Sequence, residues 1–366
     1  EEEMKLPDDV AEAVKSTGVV RMLQPKEFGG YESHPVEYME AVYNIGVHDG
    51  SAGWVAGVVG VHPHELAQGD RKLQEELWGE DPDTWIASPY APFGRARPVD
   101  GGWIFNGRWN FSSGTDHCQW VTIGGLITDQ EGNVDDPEAI HFVLPRSDYE
   151  IVHDSWDVVG LRGTGSKDLI VKDAFVPTHR AIRTDPVTDG TAGLAAGREN
   201  ALYAVPRNIL FSACITTATL ALAESTIAAS IDWIRNREGR FGKAATDPYQ
   251  LAALGAAMAD MDASKRHVFT DMERAFERLE KGETISFDDR ADIRRNQVRA
   301  SQRAVAAADD VFKLSGGAQL QKSLPMQRCW RDAQAALHHI QNQQYPMYHA
   351  WGLNFFGHEP PRTVKI

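Results

Sequence analysis

LAALGAAMADMDASKRHVFTDMERAFERL, residues 251–279, sets Leu251, Leu254, Met258, Met261, Val268, Met272 and Leu279 at heptad-like intervals. Apolar side chains at that spacing share one stripe of an α-helix, and the stripe needs other helices to cover it. Those helices are at hand. After Pro206 the residues Leu220, Ala223, Ile227, Ile231 and Ile234 form a second stripe. A third helix is predicted over Asp288–Leu314, stopped by Gly316-Gly317, and a fourth from Pro325 to about Gln343. Upstream the texture differs. Val99-Asp-Gly-Gly-Trp103 predicts a hairpin turn, and short β-rich runs follow at Trp120–Ile127, Ala139–Leu144, Glu150–His153 and Asp168–Val176. Asp129–Asn133 is a loop tip. Before about Thr84 the chain again reads as helical: a start at Pro7-Asp8-Asp9, a break at Phe28-Gly29-Gly30-Tyr31, and helical spacing over Val36–Tyr43 and Leu73–Trp78. The expected architecture is therefore α+β, with an N-terminal helical domain (1–84), a middle antiparallel β domain, sheet or barrel (85–196), and a C-terminal four-helix bundle (197–366). Asp185–Asn200, rich in Gly, Ala and Thr, is expected to be a mobile loop joining the last two.

Composition narrows the function classes. The 366 residues carry 52 Asp and Glu against 37 Lys and Arg, a net charge of -15, and no basic block, so a nucleic-acid partner is not expected. Three dispersed cysteines, Cys118, Cys214 and Cys329, read as reduced thiols, not as a disulfide frame or zinc site. No apolar run approaching about 20 residues stands out, so no membrane segment is expected. The acidic start EEEMKLPDDV has no leader signature, while the missing initial Met leaves room for upstream residues. A cytoplasmic protein is expected.

Five motifs carry possible chemistry. Gly160-Leu-Arg-Gly-Thr-Gly-Ser-Lys167 has the Ser and Lys in the wrong order for a nucleotide phosphate loop and runs into a strand, so it reads as a turn. Trp109-Asn-Phe-Ser-Ser-Gly-Thr-Asp116 pairs adjacent hydroxyls with aromatic rings, as a planar heterocycle's edge and face would require; the bland alternative is a Ser-rich strand end. In Val61-His62-Pro63-His64 a metal pair on a strand lacks further ligands, and a catalytic or packed histidine is the better reading. His338-His339 is placed in the last bundle helix, where only one of the two can face inward. Arg237-Glu-Gly-Arg-Phe-Gly242 ends the first bundle helix, its Arg either capping carbonyls or forking onto a phosphate.

In order along the chain, these pieces resemble the acyl-CoA dehydrogenase superfamily. The resemblance rests on the helical–β–helical order, the strand end at 109–114, Val171-Lys-Asp-Ala-Phe-Val-Pro177, Arg237-x-x-x-Phe-Gly242, Ser315-Gly-Gly317 and Arg331-Asp-Ala333. A dehydrogenase removes a substrate proton with a carboxylate, in many members downstream of the Arg-Asp-Ala motif; here no Asp or Glu occurs between Ala333 and His358. Gly53-Trp54, Gly60-Val-His62, Ser88-x-Tyr90-Ala-Pro92, Trp109-Asn-x-Ser-Ser-Gly114-x-Asp-His117 and Gly160–Ser166 are more similar to the two-component flavin monooxygenases of the superfamily. That group includes 4-hydroxyphenylacetate 3-hydroxylases and, with the most similar pattern, the phenol-ring hydroxylases of steroid degradation.

The resemblance implies an oxygenase component that receives reduced flavin, FMNH2 or FADH2, from a separate NAD(P)H-dependent reductase by diffusion. With O2 it forms a C4a-hydroperoxyflavin and hydroxylates a phenolic, possibly steroid-derived ring ortho to its hydroxyl. It implies His62 as the base at the substrate, Ser113 as the hydroxyl on flavin N5, and His339, not His338, as the histidine assisting oxygen activation. Trp54, Ser88, Pro89, Tyr90, Phe111 and Ser112 would line the isoalloxazine, with Ile340 beside His339. Arg237, Gly317 and Ala318 would hold the ribityl-phosphate, partly across subunits of a homotetramer. No metal is implied. The alternatives are an acyl-CoA dehydrogenase-like flavoprotein and a sulfur- or nitrogen-oxidising monooxygenase of this fold.

Overall fold

The computed structural model describes residues 1–366 apart from Arg240, Phe241, Arg362 and Lys365. Four helices come first: α1 (Asp8–Ser16), α2 (Pro35–His48), α3 (Gly50–Leu66) and α4 (Arg71–Trp78). α3 has no polar face, and Ala52 through Leu66 are all buried, as a helix apolar all round must be. Asp49 starts it, its carboxylate accepting the Ala52 N–H at 2.9 Å. Glycines bring α2 and α3 into contact: a Cβ on Gly53 would lie 2.3 Å from the Gly46 Cα. The pair His62 and His64 is thus on a helix and not on a strand. Two positions along a helix the side chains diverge, and each histidine finds a different backbone carbonyl, Ile86 for His62 and Leu202 for His64.

One eight-stranded sheet follows: β1 (Ile86–Ala87), β2 (Gly94–Val99), β3 (Gly102–Ser112), β4 (Trp120–Thr128), β5 (Val134–Pro145), β6 (Glu150–Val152), β7 (Lys167–Pro177) and β8 (Ala181–Arg183). The order is β6-β7-β3-β2-β4-β5-β8, with β1 beside β4. β2 and β3 make the expected hairpin, with Gly101 at φ 77° in the turn. The sheet is mixed, not antiparallel throughout, because β1 and β2 both pair parallel to β4. The chain leaves β3 through Ser112–His117 and re-enters on the far side of β2, so sequence neighbours are not sheet neighbours. Among the described residues β6 and β8 do not pair, so the sheet stays open and is no barrel.

The 185–200 stretch is more structured than its composition suggests, holding α5 (Thr184–Asp189) and α6 (Ala192–Ala195). Next come α7 (Arg207–Asn236), a two-residue ribbon of β9 (Glu238–Gly239) and β10 (Gly242–Lys243), then α8 (Pro248–Glu280), α9 (Phe287–Leu314), α10 (Pro325–Ala336) and α11 (Gln344–Phe355). α8 is capped by the Asp247 carboxylate and α9 by a Ser286/Asp289 capping box. α7 packs on α2 and α3 as well as on α8, α9 and α10, which makes it the spine between layers. It is long and apolar enough to cross a membrane, contrary to the sequence reading, but 89% of its apolar stretch is buried inside the protein.

The fourth bundle helix ends at Ala336, short of Gln343. The Asn342 side-chain amide donates to the Ala336 carbonyl (2.9 Å) and to Thr219 Oγ1 (3.0 Å), and His339 caps a short 3-10 turn, so a helix break replaces the expected last turns. His338 and His339 sit in that break. Along α8, Met261, Val268, Met272 and Leu279 are buried, whereas Leu251 and Met258 are 45% and 51% exposed.

Candidate active site

Helix α3 supplies two buried side chains to the candidate site, Trp54 and, two turns later, His62. The His62 ring is fully buried. Its Nδ1 lies 2.6 Å from the Ile86 carbonyl, which can only accept, so Nδ1 carries the proton. Nε2 is then an acceptor, and the Ser88 hydroxyl donates to it at 2.6 Å. Burial lowers the His62 pKa to about 4, keeping the ring neutral. Ser88, expected along the flavin, thus reaches the histidine as well.

From His62 a run of ring contacts leads to Trp54. Tyr90 meets His62 edge-on (centroids 5.6 Å) and Phe211 likewise (5.3 Å). Phe211 lies 6.3 Å from His339, and His339 stands edge-on to Trp54 at 5.5 Å. The Trp54 indole N–H donates to Ser113 Oγ at 3.2 Å. The three residues expected to be catalytic therefore lie on one aromatic wall, although they come from α3, the end of β3 and the break after α10. The break matters for His339: its Nδ1 accepts the Gln341 N–H (3.2 Å), which leaves Nε2 as the donor nitrogen. Burial and the Arg294 guanidinium lower its pKa to about 4. His338 is exposed outside this wall.

Ser113 directly follows β3, beside a left-handed Gly114 (φ 70°) packed against Val55 and Val59 of α3. Its Oγ lies 2.7 Å from Ser166 Oγ, which lies 2.6 Å from Thr164 Oγ1. The loop carrying Thr164 and Ser166 is tied down by Asp332 of the Arg-Asp-Ala motif, whose carboxylate accepts the Leu161 N–H at 2.6 Å. Pro89 is buried, and its carbonyl accepts the Gly124 N–H. Phe111 takes a positive φ of 65° and stands 67% exposed, edge-on to Trp156, and Ile340 is 73% exposed beside His339. Arg237 lies at a separate, exposed place: its Nη1 donates to the Ser315 carbonyl (3.0 Å) next to Gly316-Gly317-Ala318, and its guanidinium covers Trp233 at 4.4 Å. Arg240 and Phe241 of that motif lie outside the described residues.

Sequence reasoning missed a buried charge cluster behind Tyr90. Glu65, the lone carboxylate of α3, bonds His141 Nδ1 of β5 through Oε1 and Arg207 Nε of α7 through Oε2 (2.6 Å). Burial pushes the Glu65 carboxyl upward, but Arg207 and His141 more than offset it and hold it well below the usual carboxylate range. The Arg207 guanidinium covers the Tyr90 ring at 4.0 Å, and Tyr90 leans on His141 at 4.5 Å. The available signal was a single acid three positions from His62 in an otherwise apolar helix, which has to be paired when buried.

These residues fit a flavin ring. Ser112 Oγ is fully buried with no partner, an acceptor–donor group waiting for a polar edge, and it adjoins Ser113 and the projecting Phe111 ring. Among the described residues no cluster of three metal-ligating side chains occurs.

Comparison with known proteins shows the family. Residues 213–344 match the family model for the acyl-CoA dehydrogenase C-terminal domain. The chain is 46% identical over 363 residues to a pigment production hydroxylase of Rhodococcus erythropolis, covering 99% of this chain and 92% of that one. It is 39% identical to the oxygenase subunit HsaA of a flavin-dependent monooxygenase from Mycobacterium tuberculosis, covering 98% and 91%. The HsaA crystal structure superimposes with a TM-score of 0.91 over 98% of this chain and 92% of that chain. This chain is also 32% identical to the oxygenase component of an FADH2-dependent resorcinol hydroxylase from Rhizobium, covering 98% of this chain and 90% of that one. The chain belongs to the oxygenase components of flavin-dependent monooxygenases built on the acyl-CoA dehydrogenase fold.

Proposed function

We propose that this oxygenase component hydroxylates a phenolic ring ortho to its hydroxyl, with His62 and Ser88 as the pair that receives the phenol proton. The observation that carries the reading is the Ile86–His62–Ser88 chain. Nδ1–H is committed to the Ile86 carbonyl and the Ser88 proton to Nε2, so the Ser88 oxygen has lone pairs free for an incoming phenol O–H. A proton leaving the phenol passes through Ser88 to the neutral imidazole, raising electron density at the ortho carbon. Tyr90 and Phe211 form the apolar wall for the aromatic ring. Reduced flavin, bound along Phe111, Ser112, Ser113 and Trp54, supplies the electrons that activate O2. His339, with its donor nitrogen, is placed to assist that activation; Arg237, Gly317 and Ala318 are assigned to the ribityl-phosphate.

A separate reductase delivers the reduced flavin by diffusion, the steroid-derived phenols being candidate substrates. The exposed Leu251 and Met258 support assembly into a homotetramer, and the free thiols support a cytoplasmic setting. The test compares His62→Asn with His339→Asn in stopped-flow absorbance, using flavin reduced beforehand. His62→Asn should slow oxygen transfer by about 10²–10⁴ and spare oxygen activation; His339→Asn should do the reverse. Slowing of the same step by both variants overturns the assignment. Bleaching of the flavin-loaded protein by an acyl-CoA would favour a dehydrogenase instead.

A further inference from the structure

The hydroxyls around Ser113 have a forced direction. Thr164 Oγ1 lies 2.8 Å from the Leu161 carbonyl, which cannot donate, so the single Thr164 proton goes there. The 2.6 Å contact between Thr164 and Ser166 must then use the Ser166 proton. With that proton committed, the 2.7 Å contact between Ser166 and Ser113 must use the Ser113 proton. Trp54 Nε1–H donates to Ser113 Oγ at 3.2 Å and occupies one lone pair. What Ser113 still has is one lone pair and no proton.

Resting on the reading of Ser113 as the partner of flavin N5, we propose that Thr164 and Ser166 are positioning residues. They hold Ser113 as an obligate acceptor, and the pocket thereby selects reduced flavin over oxidised flavin. In the reduced ring N5 bears a hydrogen and donates; in the oxidised ring it is bare and only accepts, so it would face the Ser113 lone pair. The chain is rigidly built. Ser113, Thr164 and Ser166 are 6%, 1% and 4% exposed, and the Gly114 N–H donates to the Thr164 carbonyl at 2.8 Å, a contact that side-chain changes leave in place. For an enzyme fed by a separate reductase this selection has a use: spent flavin leaves the site its reduced form enters.

The experiment measures dissociation constants of reduced (anaerobic) and oxidised flavin for the parent, Thr164→Val, Ser166→Ala and Thr164→Ser. In Thr164→Val the Ser166 proton loses its acceptor and turns to Ser113, freeing the Ser113 proton toward the ring. In Ser166→Ala the Ser113 proton is freed directly. Both variants should lower the ratio of oxidised to reduced dissociation constants by roughly two- to tenfold, the worth of one neutral hydrogen bond. Thr164→Ser should keep the parent ratio. A site that is merely loosened weakens both forms together and leaves the ratio unchanged in all variants, which overturns the proposal. A parent that binds neither form, or consumes no O2 when given reduced flavin, would instead defeat the functional reading on which it rests.

Discussion

His62 and Arg237 represent two regions built on opposite principles. Around His62 the imidazole and the charged groups behind it find their partners within the chain: Ile86 and Ser88 hold the imidazole, and Glu65 joins His141 to Arg207. Around Arg237 the guanidinium is exposed, held by the Ser315 carbonyl and one indole face, and Leu320, five positions beyond Ser315, is 65% exposed. The chemical end of the site is complete in one chain, while the end assigned to the phosphate has the unfinished look of an interface. Stability should therefore depend on the first region, and ligand affinity and assembly on the second.

The sharpest way to break this contrast is Glu65→Gln. Removing one member of a buried charge cluster leaves Arg207 uncompensated and should cost about 3–5 kcal/mol of unfolding free energy. Arg237→Ala, at an exposed position, should cost less than about 0.5 kcal/mol. Urea unfolding of both variants checks this, and equal losses would erase the distinction.

Acid titration sharpens it further. His62 and His64 are buried, with pKa values near 4 against an ordinary 6.5, so the unfolded chain binds protons that the folded one refuses. Stability is then fully present above about pH 6.5 and is lost as pH falls toward 4, with a slope approaching about 1.4 kcal/mol per pH unit for each histidine. Unfolding at pH 7 and pH 5 measures the slope, and His64→Gln should remove one histidine's share. A pH-independent parent would contradict the burial of both rings.

The smallest expected effect is at Ser113. Ser113→Ala should still hydroxylate but release more hydrogen peroxide, since losing one hydrogen bond of about 0.5–1.5 kcal/mol shortens the oxygenated state by up to about tenfold. Peroxide yield per O2 consumed reads it directly. Unchanged coupling would remove Ser113 from the flavin edge.

How much of this was legible in the sequence differs by region, for physical reasons. α8 and the hairpin at Val99–Trp103 announce themselves because one face is buried and turn residues are specific. α3 does not, because burial on all sides erases the periodicity that marks a surface helix. The order of strands was hidden for a different reason: β4 pairs with β2 and not with the adjacent β3, which no local pattern encodes. The Ser112-Ser113 turn could be singled out from composition, but the hydrogen bonds joining Trp54, Ser113, Ser166 and Thr164 could not. Nor could the Glu65 pairs, whose partners lie 76 and 142 positions away.

That last separation has a kinetic meaning. Contacts between residues far apart along a chain close large loops and form late, after local helices and hairpins have settled. The Glu65 carboxylate draws one residue from each of the three structural layers to a single point, beside the histidine assigned to the substrate. The wall beside that histidine is thus held by contacts that close loops of 76 and 142 positions, and it exists only where all three layers meet.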